Sequence, residues 1–227
     1  MKRNVKLLKK IDGRLTYLPS ENEKSGVFVD FEGQKLMHRI RDGAKGQSLS
    51  KAVGLKKQKG LKIFDATAGF GKDAFFLANL GCEVRLLERD PIMFQLLEDG
   101  FSRARQSSSR TVVESIERMS LSEGDFLKAN LQSGVWDTVY LDPMFPKARK
   151  SALVKKDMQA LQGLLSDDGS GSQMLAHAKR FAKSRVVVKR GKSSLLLSEY
   201  EPDIQYSGSS HRFDVYLIGV RINQSFS

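Results

Sequence analysis

Cysteine occurs once in the 227 residues, at Cys82, so no disulfide can form within the chain and stability must come from a packed core. No apolar run approaches the roughly 18 residues that a membrane-spanning helix needs. The basic stretch 1–10 lacks the apolar segment of a secretory signal, so the expected location is the cytoplasm. His38, His177 and His211 are scattered. Neither H-E-x-x-H nor C-x-x-C occurs, so no metal site is expected. The phosphate loop G-x-x-x-x-G-K-[ST] is also missing, which disfavours a P-loop nucleotidase. Attack on a pyrimidine carbon would want a cysteine nucleophile near a fourth strand, and Cys82 instead opens the second.

Positive charge is abundant. The chain carries 38 Lys and Arg against 26 Asp and Glu, a net charge of +12. Its distribution is uneven. Residues 1–60 hold 15 basic groups against 6 acids, residues 61–143 hold 9 against 13, and residues 179–192 hold 7 with no acid. An acidic middle with basic flanks favours a polyanionic partner, through phosphate neutralisation and counterion release.

Residues 15–18 and 27–31 read as two short strands around a polar loop, and residues 48–53 as a helical turn. Gly33, Gly43 and Gly46 interrupt the stretch between them. From Leu61 a regular alternation begins. Strands are expected at 61–65, 82–88, 116–121, 135–141 and 185–189, with a long closing strand at 211–220. Helices are expected at 72–80, 91–105, 155–165 and 172–183, the second with Pro91 in its first turn. Such alternation implies an α/β fold with a mostly parallel, doubly wound sheet, whose ligands sit outside the carboxyl ends of the strands. Asp65, Glu88, Asp125 and Asp142 all fall at those ends. The organisation expected is a basic N-terminal lobe over 1–58, in contact with RNA, and a catalytic domain over 59–227.

Three constellations carry the chemistry. In Asp65-Ala-Thr-Ala-Gly69-Phe-Gly71-Lys72-Asp73 the glycines permit a tight turn and close approach of backbone to ligand. Glu88, at the end of the next strand, suits an acceptor for ribose hydroxyls. Gly69-x-Gly71-x-x-Ala74 alone also fits a dinucleotide fingerprint. Asp65 argues against a pyrophosphate and for a ligand bearing an ammonium, such as S-adenosylmethionine. Gly124-Asp125 offers an acceptor for an adenine amine or, equally, a helix cap.

The third constellation is Asp142-Pro143-Met144-Phe145-Pro146. An exocyclic base amine has its lone pair delocalised into the ring and is a poor nucleophile. A carboxylate and a nearby backbone carbonyl can accept its protons, while an aromatic ring holds the base flat. Asp142, the Pro143 backbone and Phe145 supply these parts, and the prolines stiffen the loop. Behind it, Lys150, Lys155 and Lys156 belong to a cationic run suited to a phosphate backbone. Lys189-Arg190 is expected to face the same rim, and Arg39 is a weaker candidate for RNA contact.

The segments 65–73, Glu88-Arg89, Tyr140-Leu-Asp142-Pro143-Met144-Phe145-Pro146, 150–156, 186–190 and His211-Arg-Phe-Asp together resemble the ribosomal RNA small subunit methyltransferase J family, over about residues 27–220. That resemblance implies a Rossmann-like class I methyltransferase fold with a seven-stranded sheet, its closing strand antiparallel at or near the edge. It implies S-adenosylmethionine as cofactor and N2 of a guanosine in 16S ribosomal RNA, alone or in the small subunit, as target. It further implies cofactor contacts at Lys72-Asp73, Glu88-Arg89, Gly124-Asp125 and Asp142. Lys72 stands where the family commonly has Arg, which removes a bidentate fork. The rival readings are amine methylation of another RNA or of DNA adenine N6, an NAD-dependent oxidoreductase on the same fold, and a non-catalytic RNA-binding protein.

Overall fold

A computed structural model describes residues 7–19, 26–42, 47–143, 171–208 and 210–219. The expected helix over 155–165, and Phe145, Lys150, Lys155 and Lys156, lie outside the described residues.

Seven strands form one sheet: β3 (Lys62–Asp65), β4 (Glu83–Glu88), β5 (Met119–Glu123), β6 (Trp136–Leu141), β7 (Ala182–Gly191), β8 (Ile204–Ser207) and β9 (His211–Leu217). Their spatial order is β5-β4-β3-β6-β7-β9-β8. The first five are mutually parallel, whereas β9 runs antiparallel to both β7 and β8. The closing strand thus lies one position in from the edge. Ile63, Phe64, Val139, Leu141 and Val186–Val188 have no exposed surface, as expected of strands covered on both faces. The chain leaves β3 for β4 on one side and returns to β6 on the other, so the switch point lies between β3 and β6.

Helices α3 (Lys72–Asn79), α4 (Pro91–Arg105) and α5 (Arg110–Glu117) follow the first two parallel strands. Gly71 precedes α3 with φ 67°, a left-handed conformation that favours glycine, and a Cβ there would lie 3.2 Å from Phe31 and Leu97, a tight fit. Asp90 caps α4: its Oδ1 accepts from the N–H groups of Ile92 and Met93 at 3.0 and 3.1 Å, ahead of Pro91 in the first turn. The helix expected over 172–183 is α6 (Gly171–Phe181); β7 begins immediately after it, so Ala182 and Lys183 are strand.

Before β3, the hairpin β1 (Leu8–Ile11) and β2 (Arg14–Tyr17) turns through Asp12 and Gly13, both at positive φ. Residues 27–31 are not a strand. Val27 makes a single bridge to Tyr17, and the segment then runs across α3 and α4. Phe31 stacks on Phe75 and meets Phe101 edge-on. Helices α1 (Gln34–Asp42) and α2 (Gln47–Val53) follow. Leu36, Leu49 and Val53 enter the same apolar core as Ile63, Leu97 and Val215. Among the described residues no helix is long and apolar enough to cross a membrane.

Candidate active site

The parallel strands end in step. Asp65 is registered beside Leu86 and Tyr140, and Leu141 beside Val188, so Asp65, Glu88, Asp142 and Lys189 share one rim. The loop after β3 is threaded across that rim by its backbone. Ala66 N–H donates to the Tyr140 carbonyl, Ala68 N–H to the Leu87 carbonyl, and Gly71 N–H to the Ala68 carbonyl.

Glu88 organises one corner of the rim. Its Oε2 accepts from Gly69 N–H and its Oε1 from Asp90 N–H, each at 2.9 Å. A carboxylate has about four acceptor positions, so capacity remains for ribose hydroxyls. Burial raises its pKa despite those bonds. Gly124 N–H donates to the Glu88 carbonyl, which brings the end of β5 against the same corner. Asp125 caps a short 3₁₀ turn (Phe126–Lys128), its Oδ1 accepting from Leu127 N–H at 3.0 Å. Lys72 lies in the first turn of α3 with its ammonium 4.8 Å from the centre of the Phe70 ring, and Arg89 is exposed.

Asp65 is 2% exposed. Burial, relieved in part by the Thr67 N–H, pushes its carboxyl up to about 8, and the charges of Asp73, Asp142 and Glu88 push in the same direction. A ligand bringing positive charge would reverse that shift. The donor set therefore fits S-adenosylmethionine: hydroxyl acceptors at Glu88, and a buried carboxylate surrounded by other carboxylates at Asp65.

A second cluster lies beside it on the rim. Asp73 Oδ1 accepts from Arg39 Nη1 at 2.6 Å, while Oδ2 accepts from the Tyr140 hydroxyl at 2.7 Å and from Lys189 Nζ at 2.8 Å. Burial raises the Asp73 carboxyl, but Lys189 and Arg39 together outweigh it and hold it far below the usual range. The Lys189 ammonium, despite its burial, is held well above its ordinary value by Asp73 and Asp142. Asp142 completes the cluster. Its N–H donates to Thr67 Oγ1 at 2.6 Å, and its Oδ2 accepts from Lys189 at 2.8 Å. Pro143, beside it, is half-buried.

Of the residues singled out in the sequence, Asp65, Gly69, Gly71, Asp73, Glu88, Gly124, Asp142 and Lys189 converge on this rim. Arg39 reaches it from α1. Arg190 points aside, its Nε and Nη2 donating to the Leu195 carbonyl. Tyr140 and Thr67 were singled out only as members of motifs. Tyr140 precedes Asp142 by two residues, and this strand period places both on one face.

The family model described as "Putative SAM-dependent methyltransferase" matches residues 3–218. A protein of Tolumonas auensis named ribosomal RNA small subunit methyltransferase J is 47% identical over 194 residues, which cover 85% of this chain and 78% of that one. A Haemophilus influenzae protein of the same name is 40% identical over 210 residues, covering 91% and 81%. The crystal structure of a SAM-dependent methyltransferase from Neisseria gonorrhoeae superposes with a TM-score of 0.73 at 31% identity, covering 95% of this chain and 83% of that one.

Proposed function

Since the chain belongs to the ribosomal RNA small subunit methyltransferase J family, we propose that it methylates the exocyclic N2 of a guanosine in 16S ribosomal RNA, free or within the small subunit, in the cytoplasm. It is a SAM-dependent methyltransferase. The observation that carries the choice of an amine is Asp142. This carboxylate stands at the end of β6, beside the cofactor loop, with 31% of its side chain open to solvent.

S-adenosylmethionine, when bound, supplies a methyl group activated by its sulfonium. Glu88 holds the ribose hydroxyls, and Asp65 faces the positive charge. Thr67 and Lys189 fix the Asp142 carboxylate through its backbone N–H and its Oδ2. Among the described residues Oδ1 accepts no hydrogen bond, which leaves it for an amine proton. As the nitrogen gains its methyl group it sheds that proton: the N–H pair stays on nitrogen, and the proton passes to Asp142 and then to water. Phe145 stacks on the base, and Lys150, Lys155 and Lys156 contact RNA phosphates. Preorganised acceptors of this kind align the nitrogen without reorganisation during the reaction.

Methyl transfer to small-subunit particles from a strain lacking the gene tests this reading, with the modified nucleotide located by mass mapping. Asp142→Ala is expected to keep the fold while losing at least about 100-fold in rate. Wild-type turnover by that variant, or methylation mapped to another atom, would overturn the reading.

A further inference from the structure

Lys189 stands where two carboxylates meet. Its Nζ is 2.8 Å from Asp73 Oδ2 and 2.8 Å from Asp142 Oδ2, and its side chain is 18% exposed. An ammonium has three donors, and two are committed to these acids, which leaves little for the RNA phosphate expected from sequence. The two acids differ in freedom. Asp73 is 11% exposed and pinned at three further points: by Arg39 on Oδ1, by the Tyr140 hydroxyl on Oδ2, and by the helix that carries it. Arg39 is in turn packed against the Phe76 ring, 4.5 Å from its centre. Asp142 is the less buried member, with 31% of its side chain open to solvent, and Lys189 grips its carboxylate.

We propose that Lys189 is a positioning residue for methyl transfer: it ties the Asp142 carboxylate to the buried Asp73 hub, so that Oδ1 keeps its aim at the amine. The proposal rests on the reading of Asp142 as the group that faces the amine. Among the described residues, the charged and titratable groups around Asp142 are Lys189 from β7, Asp73 from α3, Asp65 from β3, Tyr140 from β6 and His211 from β9. Burial raises the Asp142 carboxyl, Lys189 opposes this, and Asp73 adds to it. Removal of Lys189 therefore subtracts the main lowering influence while the raising ones remain.

The test measures kcat and KM for small-subunit particles across about pH 5 to 9, for the wild type, Lys189→Met, Lys189→Arg and Asp142→Ala. Calorimetry with S-adenosylhomocysteine runs in parallel. Lys189→Met is expected to lower kcat by about 100-fold, the scale of a misaimed reacting group. It should leave KM and cofactor affinity near wild type and move the acid limb of the kcat profile to higher pH. Lys189→Arg retains the charge, so its acid limb should stay in place while its kcat falls less. An unchanged kcat with a raised KM in Lys189→Met would make Lys189 a phosphate contact and overturn the proposal. A lowered kcat with an unmoved acid limb would reduce it to a structural residue. If Lys189→Met shows no cooperative melting, Lys189→Arg decides: a shifted acid limb there overturns the proposal. Loss of activity in Asp142→Ala with a fully active Lys189→Met defeats the Lys189 role alone, whereas an active Asp142→Ala defeats the reading beneath it.

Discussion

Asp65 concentrates the electrostatic strain of the site. It is buried among Asp73, Asp142 and Glu88, and its carboxyl is pushed up to about 8. In an unfolded chain the same group releases its proton near 4. Between these two values the folded state holds a proton that the unfolded state has lost, so rising pH destabilises the ligand-free fold across that window. Asp65→Asn keeps the acceptor for Thr67 N–H and removes the titration. Its advantage over the wild type should therefore be small near pH 4 and grow by up to about 1.4 kcal/mol per pH unit toward pH 8. Melting curves without ligand should show Asp65→Asn at least about 2–4 °C above the wild type at pH 8. A difference that does not depend on pH would refute this account. The acids were legible from sequence because each closes an apolar run that reads as a strand. The Asp73–Tyr140 and Asp73–Lys189 links were not, since they join residues 67 and 116 positions apart. The one available signal was that β6 and β7 end in step, which aligns Lys189 with Asp142.

At the scale of elements, the segment 26–33 is held by close packing rather than by strand pairing. A side chain on Gly100, in the middle of α4, would come within 2.5 Å of Val29 Cγ1 and 2.9 Å of Val29 Cβ. Val29 is 1% exposed, and its carbonyl accepts from Arg103, so it has little room to retreat. Gly100→Ala gains about 1 kcal/mol of helix propensity, but overpacking costs about 1–3 kcal/mol. The net expectation is a lower melting temperature, and a rise would show that Val29 yields. Elements with strong periodicity, α3, β4, α4 and β6, lie within a residue or so of where the sequence puts them. Others were hidden for identifiable reasons. Helix α5 contains Thr111, Val112 and Val113, β-branched residues that lower helix propensity, yet burial of Val112 and Ile116 against the core overrides this. The β1–β2 hairpin rests on the single Asp12-Gly13 pair amid lysines. Helix α1 offers only Leu36, Met37 and Ile40 as apolar contacts in nine residues.

Across the whole molecule, charge separates two kinds of binding. The middle of the chain, which supplies Asp65, Asp73, Glu88 and Asp142 to the rim, carries 13 acids against 9 basic groups, while residues 1–60 and 179–192 carry the positive excess. If the basic flanks meet RNA, affinity for 16S RNA should fall steeply with salt, by about tenfold or more between 50 and 200 mM. Affinity for S-adenosylhomocysteine should change little over the same range, since its partners are buried and poorly screened. Parallel salt slopes for the two ligands would count against this division.

The antiparallel insertion of β9 between β7 and β8 also bears on the order of assembly. Until residues 211–217 arrive, β8 has no neighbour in the sheet and the strand that carries Lys189 has an open flank. Synthesis proceeds from the N-terminus, so β3, β4, β5, β6 and β7 can associate while that flank is still bare. An unpaired flank of Val186, Val187 and Val188 is a template for strand exchange between chains. During synthesis, the lysine that is proposed to aim the reaction therefore sits on the part of the sheet most exposed to misassembly.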